Sequence, residues 1–252
     1  MRNILVIVLM VVSILISGCY NSNEYHKFRG ETMGTYYNII YELPKTIDRT
    51  ELKQEVDLLL TEINDEVSTY ISSSLISQVN NSAKDIVFEK HNGHFKTNLE
   101  ISTDLYEITD GYFDPTVMPL VNFWGFGYTA KVAVSEIDSS VIDSIMAYVG
   151  YEKIGYRSEN NTLFIDAYKG ELDFSAIAKG YAVDRIGELL RHKGALNFFV
   201  EIGGEVLVKG FNDKGQKWVI GINEPSPDAK LNDLIEYLSI SNKALASSIS
   251  NN

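Results

Sequence analysis

The stretch from Asp173 to Gly210 constrains the fold more than any other part of this chain. Ser175 precedes and Gly194 follows a segment, Ala176–His192, whose apolar residues recur at helical spacing, the punctuation of one well-bounded helix. Two short β runs follow at once, Asn197–Ile202 and Glu205–Val208, joined by Gly203-Gly204 alone. Two residues close an antiparallel hairpin but cannot carry a parallel crossover. Trp218–Ile222 and Ile235–Ile240 then read as further strands of one final sheet. Upstream, Glu31–Leu43 reads as one β run, and Asp48 opens a helix with Leu52, Val56, Leu59, Leu60 and Ile63 at helical spacing. Ser74–Asn80, Phe95–Thr109 (ending at Gly111) and Val141–Val149 (closed by Gly150) are further helices; Thr162–Asp166 and Glu171–Phe174 are further strands. This mixed order predicts an α+β fold rather than a strictly alternating βαβ one.

The chain has 252 residues, with no internal repeat, no low-complexity block and no Pro/Gly/Ser linker to divide it. That length supports one large core, so a single domain over 29–252 is expected. The formal net charge is −12. Nucleic acid is therefore not an expected partner, because phosphate neutralisation needs a basic surface. The same balance argues against purely electrostatic docking on an anionic membrane. A single cysteine makes neither an internal disulfide nor a zinc site. His91 and His94 flank a glycine in a polar stretch and read as a solvated turn.

The N-terminus carries Arg2, then an apolar run from Ile4 to Ile16, then Ser17-Gly18-Cys19. As a helix that run spans about 20 Å, short of a hydrocarbon core of about 30 Å. It has the shape of a signal-peptide core. Ile-Ser-Gly-Cys (16–19) resembles a bacterial lipobox, which implies removal of residues 1–18 and lipidation of Cys19. The other reading is a plain secretory signal with an incidental cysteine. Residues 19–28 are then the lipidated cysteine and a tether, and the protein is expected in the bacterial envelope, anchored to a membrane and facing the periplasm or the outside.

Neither GxGxxG nor GxxxxGK[ST] occurs, and no serine sits in a GxSxG elbow. Gly125-Phe126-Gly127 reads as a packed turn. Four segments carry chemistry instead. In GETMGTYYNI (30–39), Met33 is either a core residue of a strand or a soft surface for a flat ring. In DGYFDPTVMPLVNFWGFG (110–127), Asp114 opens a turn amid Tyr112, Phe113, Phe123, Trp124 and Phe126. That is either a carboxylate for a ring N–H or amine edge, or a capped turn over an aromatic core. In DFSAIAKGYAVDRI (173–186), Asp173 or Ser175 caps a helix whose N-terminus suits an anion, with Lys179 one turn in to meet a phosphate and Gly180 permitting close backbone approach. An ordinary capped helix with a solvated lysine is the alternative. In FFVEIGGEVLVKG (198–210), Gly203-Gly204 is a hairpin turn or a close-approach site.

Together these segments resemble the FAD:protein FMN transferases, the ApbE-like family of bacterial flavin transferases, from about Gly30 to Leu245. The resemblance implies a single T-fold-like α+β domain. It implies binding of FAD with Mg²⁺ and transfer of the FMN moiety to a Thr hydroxyl of an acceptor protein, leaving AMP. Acceptors in such systems are membrane redox subunits or secreted flavoproteins. The family's FAD contacts fall on Met33, on Tyr70 in Ser68-Thr69-Tyr70, on Tyr112, Phe113 and Asp114, on Asp173 and on Lys179. Ala176 matches a position whose main-chain oxygen binds the metal. No catalytic base is assigned. The family continues beyond a segment like Lys243–Ser248 with a Gly-Asp-Tyr block and a His-Ile-Asp-Pro-x-Thr-Gly block that supplies side-chain metal ligands. Those ligands are expected beyond residue 252, so the alternative is an envelope lipoprotein that binds FAD without transferring FMN. A third reading is an envelope scaffold whose aromatics are only core.

Overall fold

The computed structural model describes residues 24–82, 86–88, 93–129, 139–159, 162–165, 170–224, 226 and 233–247. The signal segment 1–18, Cys19, the start of the tether, His91 and Asp166 lie outside the described residues. Two strands, β1 (Glu24–Thr32) and β2 (Thr35–Leu43), form a hairpin. They are followed by α1 (Arg49–Val67), α2 (Leu75–Asn80), β3 (Ile86–Phe88), α3 (Gly93–Ile108), α4 (Met118–Phe123) and α5 (Ser139–Met146). After a 3-10 turn at Tyr151–Lys153 come β4 (Tyr156–Glu159), β5 (Thr162–Ile165) and α6 (Ser175–His192). The last strands are β6 (Phe198–Ile202), β7 (Glu205–Lys209), β8 (Trp218–Asn223), β9 (Leu234–Ile240) and β10 (Lys243–Leu245).

Five strands make the main sheet, in the order β1-β2-β6-β7-β10, and every pair is antiparallel. Alternation along β2 puts Tyr37, Ile39, Tyr41 and Leu43 on one face, where Phe198, Val200 and Ile202 of β6 join them. Against this face lie α1 through Leu52, Val56, Leu60 and Ile63, α3 through Phe95 and Leu99, and α6 through Ala182, Val183, Ile186 and Leu190. Burying each of these large aliphatic side chains stabilises the fold by about 1.5–3 kcal/mol. The opposite face buries Val206, Val208 and Trp218 beneath the β8–β9 ribbon. The layers are thus helices, sheet and ribbon, the α+β class that the element order implies.

Four local expectations change. Glu31–Leu43 is not one strand, because Met33-Gly34 turns the chain back with φ of 49° and 70°. Glu24–Phe28, expected in the tether, is paired with β2 instead. Glu171–Phe174 is not a strand: its one ladder contact is an isolated parallel bridge from Glu171 to Val117. Strands β8 and β9 form their own two-stranded sheet rather than extending β6–β7, since the chain crosses to the other face after Lys209.

Candidate functional site

One end of the main sheet gathers the segments that the sequence singles out. Strand β2 ends at Leu43 and α1 begins at Arg49, so α1 runs back along the sheet and finishes beside the Met33-Gly34 turn. The amide of Asn64, in the last turn of α1, donates to Thr32 Oγ1 at 3.0 Å. Helix α6 ends at His192 and feeds β6 at Phe198, so its N-terminus points to the end where β6 turns into β7. There Gly203 N donates to Tyr36 O at 3.2 Å. The Met33 turn, Ser68–Tyr70, the start of α6 and Gly203-Gly204 therefore share one end.

The 110–127 segment is fastened to the same place. Asp173 N donates to Pro115 O at 2.7 Å. Tyr70 OH donates to Phe126 O at 3.3 Å. Asp114 Oδ1 accepts from Thr116 N at 2.8 Å and Thr116 Oγ1 at 2.7 Å, while Oδ2 accepts from Tyr151 N at 3.1 Å. Thr116 Oγ1 in turn accepts from Gly150 N at 2.7 Å. Both Asp114 oxygens thus bond within the protein and hold the loop in shape. These bonds form a capped turn. Tyr112 projects outward, 96% exposed, and Tyr70 is 67% exposed, so two rings stand free beside the turn.

The start of α6 differs in detail from expectation. Phe174, fully buried, occupies the N-cap position, with no side-chain cap bond. Its carbonyl accepts from Ile177 N and Ala178 N at 2.9 and 2.8 Å. Asp173 Oδ1 accepts from Ser175 N at 2.8 Å and Ser175 Oγ at 2.5 Å. Asp173 is thereby fixed at the mouth of the helix, where the backbone dipole favours negative charge. Ala176 is exposed, Lys179 half-buried, and a Cβ built on Gly180 would meet nothing within 4 Å. The surface beside Gly180 is open rather than pressed against another part of the chain.

Two backbone features mark this end as specialised. Met33 takes the left-handed region, with φ of 49°. Non-glycine residues pay for that conformation and keep it where surrounding structure or function requires it. Its side chain is half-buried against the core, and a shallow cavity is lined by Glu31, Thr32, Met33, Gly34, Thr35 and Tyr36. Gly203 also has positive φ, and a Cβ there would stand 2.7 Å from Thr35 Cγ2. Gly203-Gly204 is therefore a hairpin turn and a close-approach site at once.

The oxygens that this end offers a cation are few. Ala176 and Asp173 lie three residues apart at the start of α6, and a main-chain or carboxylate oxygen is the hard donor that Mg²⁺ favours. Among the described residues, no group of three His, Cys, Asp or Glu gathers to hold a metal. The residues fit part of a coordination shell and leave the rest to other donors.

Several residues here escaped the sequence reading. Thr116 is fully buried and serves as the pivot between Asp114 and Gly150, a link 34 residues long that periodicity cannot reveal. Glu171 Oε2 accepts from Asn122 Nδ2 at 3.1 Å and Tyr128 OH at 2.9 Å, which folds the Gly-Phe-Gly turn onto the Asp173 segment. Burial, with that bond to Glu171, pushes the Tyr128 phenol up. Thr69 Oγ1 is buried without a partner among the described residues, one position before Tyr70. Its place in Ser68-Thr69-Tyr70 was the only available signal. His94 is not in a solvated turn: it lies half-buried in the first turn of α3, with Nδ1 2.7 Å from Tyr181 OH of α6.

Comparison with known proteins follows this geometry. The model of the ApbE family matches residues 33–251. An FAD:protein FMN transferase of Vibrio cholerae is 38% identical over 238 residues, covering 94% of this chain and 70% of that protein. One of Haemophilus influenzae is 32% identical over 234 residues, covering 87% of this chain and 64% of that protein. The chain thus spans about two thirds of the length of these relatives. The structure of the flavin transferase ApbE from Vibrio cholerae superposes with a TM-score of 0.76 at 36% identity, over 88% of this chain and 70% of that one.

Proposed function

This chain belongs to the ApbE family, and we propose that it carries out FMN transfer from FAD to a Thr hydroxyl of an acceptor protein. The observation that carries this reading is the Asp173–Pro115 bond, which binds the two most distinctive motifs into one surface beside the Met33 turn. Exposed Tyr70 and Tyr112 offer faces for a flat ring system. Lys179, one turn into α6, offers a cation for the pyrophosphate, and the helix N-terminus adds its positive end.

In the proposed reaction, the Thr oxygen bonds to the phosphorus of the FMN half. The bond from that phosphorus to the bridging oxygen breaks, and AMP leaves with that oxygen. The Thr proton passes to a base that remains unassigned. Such displacement depends mostly on positioning and on neutralising charge. Mg²⁺, when bound, supplies that neutralisation, with Ala176 O and Asp173 as this chain's donors. Asp173 is otherwise a positioning group, held by Ser175. Asp114 acts through the loop that it shapes.

The proposed setting is a bacterial envelope, with Cys19 lipidated and the acceptor a membrane redox subunit or secreted flavoprotein. A second reading is FAD binding without transfer, since among the described residues no group of three His, Cys, Asp or Glu gathers for a cation. Thermal melting with and without FAD tests the part shared by both. A ligand of the native state raises the melting temperature by mass action. An unchanged melting temperature at saturating FAD and Mg²⁺ contradicts both and leaves the scaffold reading.

A further inference from the structure

The end of the sheet opposite the flavin site has a different surface chemistry. Strand β1 runs from Glu24, paired with Leu43, to Thr32 at the Met33 turn. Its nine residues span about 30 Å at the usual rise per residue. The far end collects the tips of three connections: α6 to β6, β7 to β8, and β9 to β10. They are knitted together. Phe211 N donates to Asn197 Oδ1 at 2.8 Å, Gly210 N donates to Asn242 Oδ1 at 3.1 Å, and Tyr25 OH donates to Phe211 O at 2.9 Å.

Two apolar side chains stand outward on this platform, Leu196 at 65% exposure and Phe211 at 48%. Lys193, Lys209, Lys214, Lys217 and Lys243 lie on these three connections and the strand ends that they join. Of these, Lys193 is paired with Glu55. The carboxylates of this end include Glu24, paired with Lys45, Glu42, bonded to the Asn197 amide, and Asp48, which caps α1; burial first, then the charges of Glu42 and Asp213, pushes the Tyr25 phenol up to about 12. Asp213 is exposed at the β7–β8 tip. Across the three connections and the residues that directly flank them, five lysines stand against the one carboxylate of Asp213.

We infer that the Leu196–Phe211 platform is a membrane-apposed surface that seats on anionic lipid headgroups and turns the flavin site away from the bilayer. Exposed apolar tips on lysine-bearing connections suit this role, since the apolar side chains enter the headgroup layer while the ammonium groups meet phosphate. The inference rests on the envelope reading above and extends it. The chain reaches the platform at Glu24, and five residues from Cys19 to Asn23 span at most about 18 Å however they are arranged. Lipid attached at Cys19 lies within reach of this end. The site then faces solvent roughly 30 Å farther out, at the height where an acceptor domain must present its Thr.

The test uses the full chain, isolated from membranes and reconstituted into vesicles of phosphatidylcholine alone or with phosphatidylglycerol. Phe211→Cys, Leu196→Cys and Tyr36→Cys are spin-labelled one at a time, and accessibility to a water-soluble relaxant is read. Labelling of the unaltered chain and the mass of its N-terminal peptide report whether Cys19 is free or lipidated. The expected result is shielding of the 211 and 196 labels on phosphatidylglycerol vesicles and full aqueous access at 36. Lys214→Glu with Lys217→Glu should cut the apparent affinity of an unlipidated chain for those vesicles by an order of magnitude or more, at about fivefold per lysine. Equal aqueous access at 211, 196 and 36 overturns the inference, whatever the state of Cys19. Shielding that needs added acceptor protein rather than lipid also overturns it. Shielding at 211 with Cys19 free and unmodified supports the surface and removes the lipid anchor instead.

Discussion

The Asp173 amide donates to the carbonyl of Pro115 at 2.7 Å, across 58 residues of sequence, and so joins the Asp-Pro-Thr turn to the mouth of α6. Their junction is what gives the sheet end two free tyrosine rings, a fixed carboxylate and a lysine on one surface.

The two aspartates should separate by the kind of loss they cause. Asp114→Asn turns an N–H toward Tyr151 N or Thr116 N and leaves a buried donor unmet. The expected cost is about 1–3 kcal/mol of stability, seen as a lower melting temperature without ligand. Asp173→Asn retains an oxygen for Ser175 and should melt near the wild type while losing FMN transfer. Equal melting of the two variants contradicts the structural role given to Asp114.

Met33→Asn tests whether the turn is kept strained for function. Asn accepts the left-handed region better than Met, and suits a two-residue hairpin turn. Relieved backbone strain and the lost packing of the half-buried Met side chain offset each other, so urea unfolding should change by less than about 1 kcal/mol, while FAD binding weakens in titration. A tighter FAD complex contradicts a flavin contact at Met33.

Gly203→Ala meets two obstacles, a positive φ and a methyl 2.7 Å from Thr35 Cγ2. A loss of at least about 1 kcal/mol is expected. Pairing Gly203→Ala with Thr35→Ser should recover part of it by removing the facing methyl. No recovery in the double variant means that backbone strain alone carries the cost.

Burial first, then the Arg185 guanidinium, lowers the His94 pKa from its usual 6.5, while Glu62 opposes the shift. The fold therefore favours the neutral ring, whose Nδ1 lies 2.7 Å from Tyr181 OH, itself kept protonated by burial. Between 6.5 and the lowered value, the unfolded chain binds more protons than the native one. Stability should be level in this respect above pH 6.5 and fall as pH drops through that window. His94→Asn keeps an acceptor that does not titrate, so its unfolding free energy should fall less steeply from pH 7 to 5. A slope identical to that of the wild type removes His94 as the cause.

Much of this architecture was legible from sequence because it is local. Asp48, Ser74 and Gly194 mark helix ends that the structure keeps, and the apolar spacing of Leu52, Val56, Leu60 and Ile63 gives the buried face of α1. What failed was non-local. Glu171–Phe174 has the look of a strand, but no neighbour pairs along it, and its amide goes to Pro115 instead. His94 sits in a polar stretch, and only packing of α3 against α6 brings Tyr181 to it. Asp114 caps its own turn, but its second oxygen is met by the amide of Tyr151, 37 residues away, which no local pattern reveals.

The most direct measurement incubates the chain with FAD, Mg²⁺ and an acceptor domain bearing an exposed Thr, then reads flavin fluorescence of the acceptor on a denaturing gel. The account predicts a fluorescent acceptor band with the wild-type chain and none with Asp173→Asn. A dark acceptor band from a wild-type chain that FAD demonstrably stabilises contradicts transfer and leaves flavin binding alone.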